Sequence, residues 1–124
     1  MTRSRLPSLS ASETEILRLL WELHEATVQQ VCDKLPAKRK IGYATVQTLL
    51  RRLEHKGYIR HRVQGKAHVF SPAVEQDHVI KRSVSDFLER LFGGDPIPLV
   101  QHLAEHGKLD AEDLERLKNL IENE

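Results

Sequence analysis

The stretch GYATVQTLLRRLEHKGYIRHR, residues 42–62, decides the fold. Val46, Leu49, Leu50 and Leu53 recur at i, i+3, i+4 and i+7, the spacing that puts four apolar side chains on one face of a helix. At about 100° per residue, Ala44, Thr48, Arg51 and His55 gather on the opposite face, flanked by Gln47 and Arg52. Only one side of this helix is made for a core. Gly57 ends it, because glycine takes the left-handed conformation without steric penalty. Beyond Gly57 the period changes: Ile59 and Val63 alternate with Arg60 and Arg62, and Val69 alternates with His68 and Phe70. The intervening QGK offers a glycine turn, so a two-stranded hairpin follows the helix, with Arg62, Gln64 and Lys66 at its tip.

Two more helices precede this one. In LSASETEILRLLWEL, Ser10 with Glu13, or Ser12 with Glu15, has capping-box spacing. Ile16, Leu19, Leu20 and Leu23 then form a stripe that Leu17 and Trp21 widen, and Trp21 reads as a core anchor. In TVQQVCDKL, Thr27 and Gln30 repeat the capping box, Val28, Val31, Cys32 and Leu35 supply the inner face, and Pro36 stops the helix. Cys32, set among apolar neighbours, reads as a small core residue rather than a reactive thiol. The connection PAKRKIG then carries Lys38, Arg39 and Lys40 in a row.

After Pro72 the chain turns acidic. Residues 1–72 hold 13 Lys+Arg against 6 Asp+Glu, a balance of +7, and residues 73–124 hold 6 against 12, a balance of −6. The asymmetry places a boundary there, with a basic part (1–72) suited to a polyanion and an acidic part (73–124) doing something else. Between Pro36 and Lys66 nine basic residues accompany a single acid, Glu54. The acidic part reads as three helices. Ile80, Val84, Phe87, Leu88 and Leu91 keep helical spacing up to Gly93-Gly94, Leu99, Val100 and Leu103 mark a shorter helix, and Leu114, Leu117 and Ile121 follow Asp110, a plausible N-cap. About 50 residues cannot bury so many apolar side chains by themselves. Packing on the basic part is the plainer cover, and a second copy of the chain is the expected one, with Val84, Phe87, Leu88, Leu91, Leu103, Leu114, Leu117 and Ile121 as the interface.

Several function classes are excluded or disfavoured. No Gly-rich phosphate loop, HExxH motif or nucleophile with a base is present, so no catalytic residue, enzyme activity or cofactor is expected. The opening MTRSRLPSLS lacks the apolar run of a signal peptide, and no stretch suits a membrane span. With one cysteine there is no internal disulfide, which suits the cytoplasm. His102 and His106 lie four apart on a helix, a spacing that would suit two metal ligands, but as ordinary surface or interface histidines they imply no metal site.

Three helices followed by a hairpin, mainly α with a small β-hairpin, is the order of a winged helix-turn-helix with a helical dimerisation arm appended. The B-DNA major groove, about 12 Å wide, accepts one helix. Tyr43, Ala44, Thr45, Gln47 and Thr48 are short or polar enough to read base edges from its first turns. Arg51, Arg52, Lys38, Arg39 and Lys40 suit phosphates, and Arg62 and Lys66 would reach the flanking backbone or the minor groove. Each residue also has a plainer reading: Tyr43 covering the helix start, Thr45 bonding the backbone, Arg60 simply exposed. The second class of function consistent with this surface is a winged helix that docks an acidic protein.

The blocks LSASETEILRLLWEL, TVQQVCDKL, YATVQTLLRRLEHKGYI, GKAHVFSP and FLERLFGG resemble, in order and nearly without gaps, those of the penicillinase-repressor family of BlaI/MecI-type bacterial regulators. The resemblance runs from about Leu9 to the C-terminus. It implies a homodimeric repressor on a palindromic double-stranded DNA operator, with residues 43–52 as recognition helix, the hairpin as wing and intertwined C-terminal helices. In well-known members a membrane sensor triggers cleavage at an Asn-Phe bond in the C-terminal region. His102-Leu103 stands at that bond here, which argues against the same proteolytic release and gives any upstream sensor or protease no identity. A copper-responsive branch carries Cys-x-Cys pairs near its C-terminus, and this chain has none.

Overall fold

The computed structural model describes residues 6–39 and 41–123. Helices α1 (Ala11–Leu23), α2 (Val28–Lys34) and α3 (Tyr43–His55) come first, then strands β1 (Ile59–Gln64) and β2 (Ala67–Pro72), then helices α4 (Gln76–Phe92), α5 (Pro96–Glu105) and α6 (Ala111–Glu122). The chain divides into two compact units, residues 1–78 and 79–124, and α4 begins in the first and continues in the second.

The first unit is built on capped helices. The Ser10 hydroxyl accepts from the Glu13 amide at 3.1 Å while the Glu13 carboxylate accepts from the Ser10 amide at 2.8 Å, so of the two candidate boxes the Ser10 pair starts α1. Thr27 and Gln30 make the same reciprocal pair at the start of α2. Leu35 is extended before Pro36, as the residue before a proline tends to be, and α2 stops. At the end of α3, Gly57 has φ +93°, and a Cβ there would also meet the Leu6 side chain at 3.2 Å. This glycine lets the Tyr58 amide reach back to the Leu53 carbonyl at 3.0 Å and turns the chain into the hairpin.

Ile16, Leu17, Leu20, Val31, Val46, Leu50 and Leu53 lose all contact with solvent. Each contributes about 1.5–3 kcal/mol by burial. Leu17, expected to widen the stripe of α1, is fully buried, whereas Leu23, expected within the stripe, is only half-buried. The reason is that α1 packs against α2, α3 and β2 together, so burial extends beyond one face. Trp21 is half-buried and its indole N–H donates to the Val74 carbonyl at 3.2 Å, which fastens the segment after β2 to α1. Cys32, read as a core residue, is only half-buried. Burial, then the neighbouring Asp33 charge, pushes its thiol above the ordinary range and keeps it protonated.

The hairpin pairs antiparallel from Ile59↔Pro72 to Gln64↔Ala67, with Gly65-Lys66 at the turn. Two residues depart from the simple alternation. Val63 is exposed because it lies near the tip, beyond the core, and Phe70 is buried alongside Val69. Phe70 is covered because β2 has a second neighbour: Ala26 and Phe70 exchange backbone hydrogen bonds at 2.9 and 2.8 Å, a one-residue bridge on the open edge of the hairpin.

The second unit has well-formed helices without a core. Asp110 and Asp113 form a capping box for α6, and Asp95 with Pro96 begins α5. Yet no residue of α4, α5 or α6 is buried. Val84, Phe87, Leu91, Leu114, Leu117 and Ile121 are exposed, and Leu88 and Leu103 half-buried. None of the described helices is long and apolar enough to cross a membrane.

Candidate nucleic-acid interface

Helix α3 is held by Val46, Leu49, Leu50 and Leu53 on its inner side, which fixes what it presents outward. Tyr43, Ala44, Thr45, Thr48, Arg51 and Arg52 are exposed and Gln47 is half-buried. The N-cap is Gly42, which has no side chain to cap the helix, so the first-turn amides of α3 have no side-chain cap among the described residues. Arg52 and His55 fall in the last turn, where positive charge complements the helix dipole. The Thr48 hydroxyl donates to the Ala44 carbonyl at 3.0 Å. Thr48 thus makes a backbone bond of the kind weighed for Thr45.

A groove of about 480 Å³ runs between α3, the start of α2 and the hairpin. Tyr43, Gln47 and Arg51 line one wall, Gln29 stands at the α2 side, and Lys66 and His68 line the other wall. Four of the anticipated residues, Tyr43, Gln47, Arg51 and Lys66, are therefore brought together. Ala44, Thr45, Thr48 and Arg52 lie elsewhere on exposed α3.

The remaining basic residues are placed differently. Lys38 is exposed in the connection before α3, and Lys40 lies outside the described residues. Arg39 is half-buried and its guanidinium meets Glu15 of α1 at 2.8 Å. Arg62 is held by Glu25, from the turn after α1, at 2.9 and 3.5 Å, and by Gln64 at 2.7 Å. Arg51 and Arg52 have no ion pair among the described residues, which leaves both guanidiniums available.

Residue spacing alone did not find three features. His61 Nδ1 lies 2.6 Å from the Glu54 carboxylate of α3. The His61 ring stacks on His68 at 4.5 Å between centroids and leans on Phe70 at 5.5 Å. Glu13, assigned only a capping role, is buried and receives the Lys56 ammonium at 2.7 Å. Burial alone would raise the Glu13 carboxyl, but the Lys56 hydrogen bond, the Ser10 amide and the Lys56 charge outweigh it and hold the carboxyl below its ordinary value. In the second unit His102 and His106 stack at 4.0 Å, with His106 Nδ1 at 2.9 Å from the His102 carbonyl. Among the described residues no three His, Cys, Asp or Glu side chains come together as a metal site.

A three-helix unit that buries one face of its third helix, exposes the polar-basic face and sets a hairpin beside it is a winged helix-turn-helix module. The penicillinase repressor family matches residues 9–123, and the chain belongs to that family. It is a DNA-binding transcriptional repressor and not an enzyme. The penicillinase repressor of Bacillus licheniformis is 25% identical over 118 residues, which cover 95% of this chain and 92% of that one. The MecI methicillin resistance regulatory protein of Mammaliicoccus sciuri is 23% identical over 91% of this chain and 92% of its own length. Among solved structures, the DNA-binding domain of the repressor BlaI superposes with a TM-score of 0.52 at 26% identity, covering 58% of this chain and 88% of that domain. The monomeric form of Bacillus licheniformis BlaI in complex with the blaP half-operator gives 0.51 at 26% identity, over 59% of this chain and 89% of that one.

Proposed function

We propose that this chain represses transcription in the cytoplasm as a homodimer seated on a palindromic operator. The observation that carries the reading is the outer face of α3: polar and basic, with Arg51 and Arg52 in no ion pair among the described residues, beside a basic wing tip and fixed by a buried inner face. Tyr43, Ala44, Thr45, Gln47 and Thr48 read base edges, where Gln pairs bidentately with adenine and the Ala and Thr methyls meet the thymine methyl. Lys38, Lys40, Arg51, Arg52 and Lys66 hold phosphates. Arg62 joins them while still paired with Glu25, since a guanidinium has five N–H donors. Arg39 would have to leave Glu15 to do the same.

Dimerisation is supported by the exposed apolar residues of α4 and α6 and by a half-operator bound to a monomeric relative, since one copy per half-site makes two copies per operator. Val84, Phe87, Leu88, Leu91, Leu103, Leu114, Leu117 and Ile121 form that interface.

The test is selection of duplexes from a random pool followed by gel shifts at two salt concentrations. The repressor reading expects a palindrome with half-sites spaced by about one helical turn or a multiple. It also expects strong preference over scrambled duplex and a steep fall in affinity with salt, because neutralised phosphates release counterions. Equal competition by scrambled duplex at both salts would falsify it and favour the docking of an acidic protein.

A further inference from the structure

A carboxylate on a surface that meets DNA faces phosphates of its own sign, so acids at such a surface need a reason. Glu54 is the sole acid among nine basic residues between Pro36 and Lys66. It sits in the last turn of α3, on the wall of the groove, and its carboxylate lies 2.6 Å from His61 Nδ1 on β1. The next residue, Arg62, carries a second carboxylate: Glu25 meets both of its terminal nitrogens. Successive side chains of a strand point to opposite faces, so the two acids take hold of β1 from two sides. Glu25 is brought there by a backbone feature of its own. His24, a non-glycine residue, takes φ +73° at the end of α1, and Ala26 then bridges Phe70 of β2.

Resting on the repressor reading, we propose that Glu54 and Glu25 are positioning residues that clamp the wing between the recognition helix and the α1–α2 turn. The clamp fixes how far the wing tip, with Lys66, stands from α3. Both pairs are partly open to water, with side-chain exposures of 31% and 33% for His61–Glu54 and 52% and 53% for Arg62–Glu25. Pairs so exposed add little to global stability. Their consequence is geometric: α3 and the tip must reach the same duplex together, and a loose hairpin forfeits the second contact.

The clamp and simple Coulomb repulsion predict opposite signs. Removing an acid near phosphates should strengthen binding if charge alone matters, whereas removing a clamp should weaken it. The experiment measures affinity of the full chain for the duplex it selects from a random pool, at two salts, with melting midpoints recorded alongside. Glu54→Ala is expected to weaken binding roughly three- to tenfold, and Glu54→Gln, which keeps an oxygen for His61, to recover most of it. Glu25→Gln, at an exposed site that does not endanger folding, should weaken binding in the same direction. The decisive readout is coupling with the wing tip. Lys66→Ala should cost less in the Glu54→Ala or Glu25→Gln background than in wild type, and the salt slope should show the same shortfall, because an unclamped tip already contributes less. General destabilisation would leave the Lys66 loss unchanged. Folded variants that bind as tightly as wild type or tighter, or a Lys66 loss identical in every background, would overturn the clamp alone. A wild-type protein that selects no duplex would overturn the repressor reading and the clamp with it.

Discussion

The two units use the same local devices and reach opposite ends. Both begin helices with reciprocal capping boxes, at Ser10, Thr27 and Asp110, and both carry apolar stripes at helical spacing. In the first unit those stripes meet: α1, α2, α3 and the hairpin close over seven completely buried side chains. None of α4, α5 and α6 buries a residue, and Leu91, Leu120 and Ile121 each leave about two-thirds or more of their surface in water. Capping and periodicity are therefore sufficient to specify a helix but silent about what covers it. Exposed apolar side chains at helical spacing are what an interaction surface would present, and the proposed homodimer is the occupant that would remove the contrast.

The largest expected effect tests that occupant. Leu117→Glu, placed in the exposed stripe of α6, should halve the mass seen by light scattering. It should also lower operator affinity by about 10² to 10⁴, because two half-sites no longer bind as one unit. An unchanged mass would break the comparison at its root. Next comes Leu50→Ala in the closed core, expected to cost about 2–5 kcal/mol in urea unfolding. That loss should not depend on protein concentration, whereas the unfolding midpoint of wild type should rise with concentration if folding of the second unit is linked to association. A wild-type midpoint flat over a hundredfold dilution range would count against that linkage.

Smaller effects sharpen the difference within α3. Gln47→Ala should relax preference at one base position at a cost of about 1–3 kcal/mol. Arg51→Ala should weaken all duplexes alike and flatten the salt slope by about one unit. Competition with single-base variants of the selected duplex distinguishes them. If Gln47→Ala weakened every variant equally, it would join the phosphate contacts.

The element order and the inner face of α3 were legible in the chain because they follow from periods of 3.6 and 2 and from Gly57 and Pro36. The outer face was legible for a related reason: once Val46, Leu49, Leu50 and Leu53 are committed inward, geometry sends Ala44, Thr48 and Arg51 outward. Contacts between elements were not. Nothing in spacing pairs Glu54 with His61, Arg62 with Glu25, or Arg39 with Glu15, since each depends on how separate elements pack. Strand alternation failed at Phe70 for the same reason, because Ala26 arrives from between α1 and α2.

The effect that fades with acid concerns a residue whose cap was readable and whose burial was not. Glu13 is almost fully buried, accepts from the Ser10 amide and receives the Lys56 ammonium, which also donates to the Ser8 carbonyl at 2.9 Å. Its folded carboxyl titrates below the ordinary value of 4.5. A lowered folded value means that the unfolded chain takes up the proton first as pH falls. The stabilisation is therefore fully present above the unfolded value and is lost as pH drops through the folded one. Glu13→Gln keeps the cap geometry but removes the charge, leaving Lys56 without its counter-ion. Urea unfolding at neutral pH should show the variant less stable than wild type, by about 1–3 kcal/mol for a charge-assisted hydrogen bond. From below about pH 4.5 the gap should narrow, because wild type then loses what the variant never had. Two stability curves that stay parallel from neutral to acid would mean that Glu13 acts through its cap alone, with the Lys56 pair contributing nothing to the closed core.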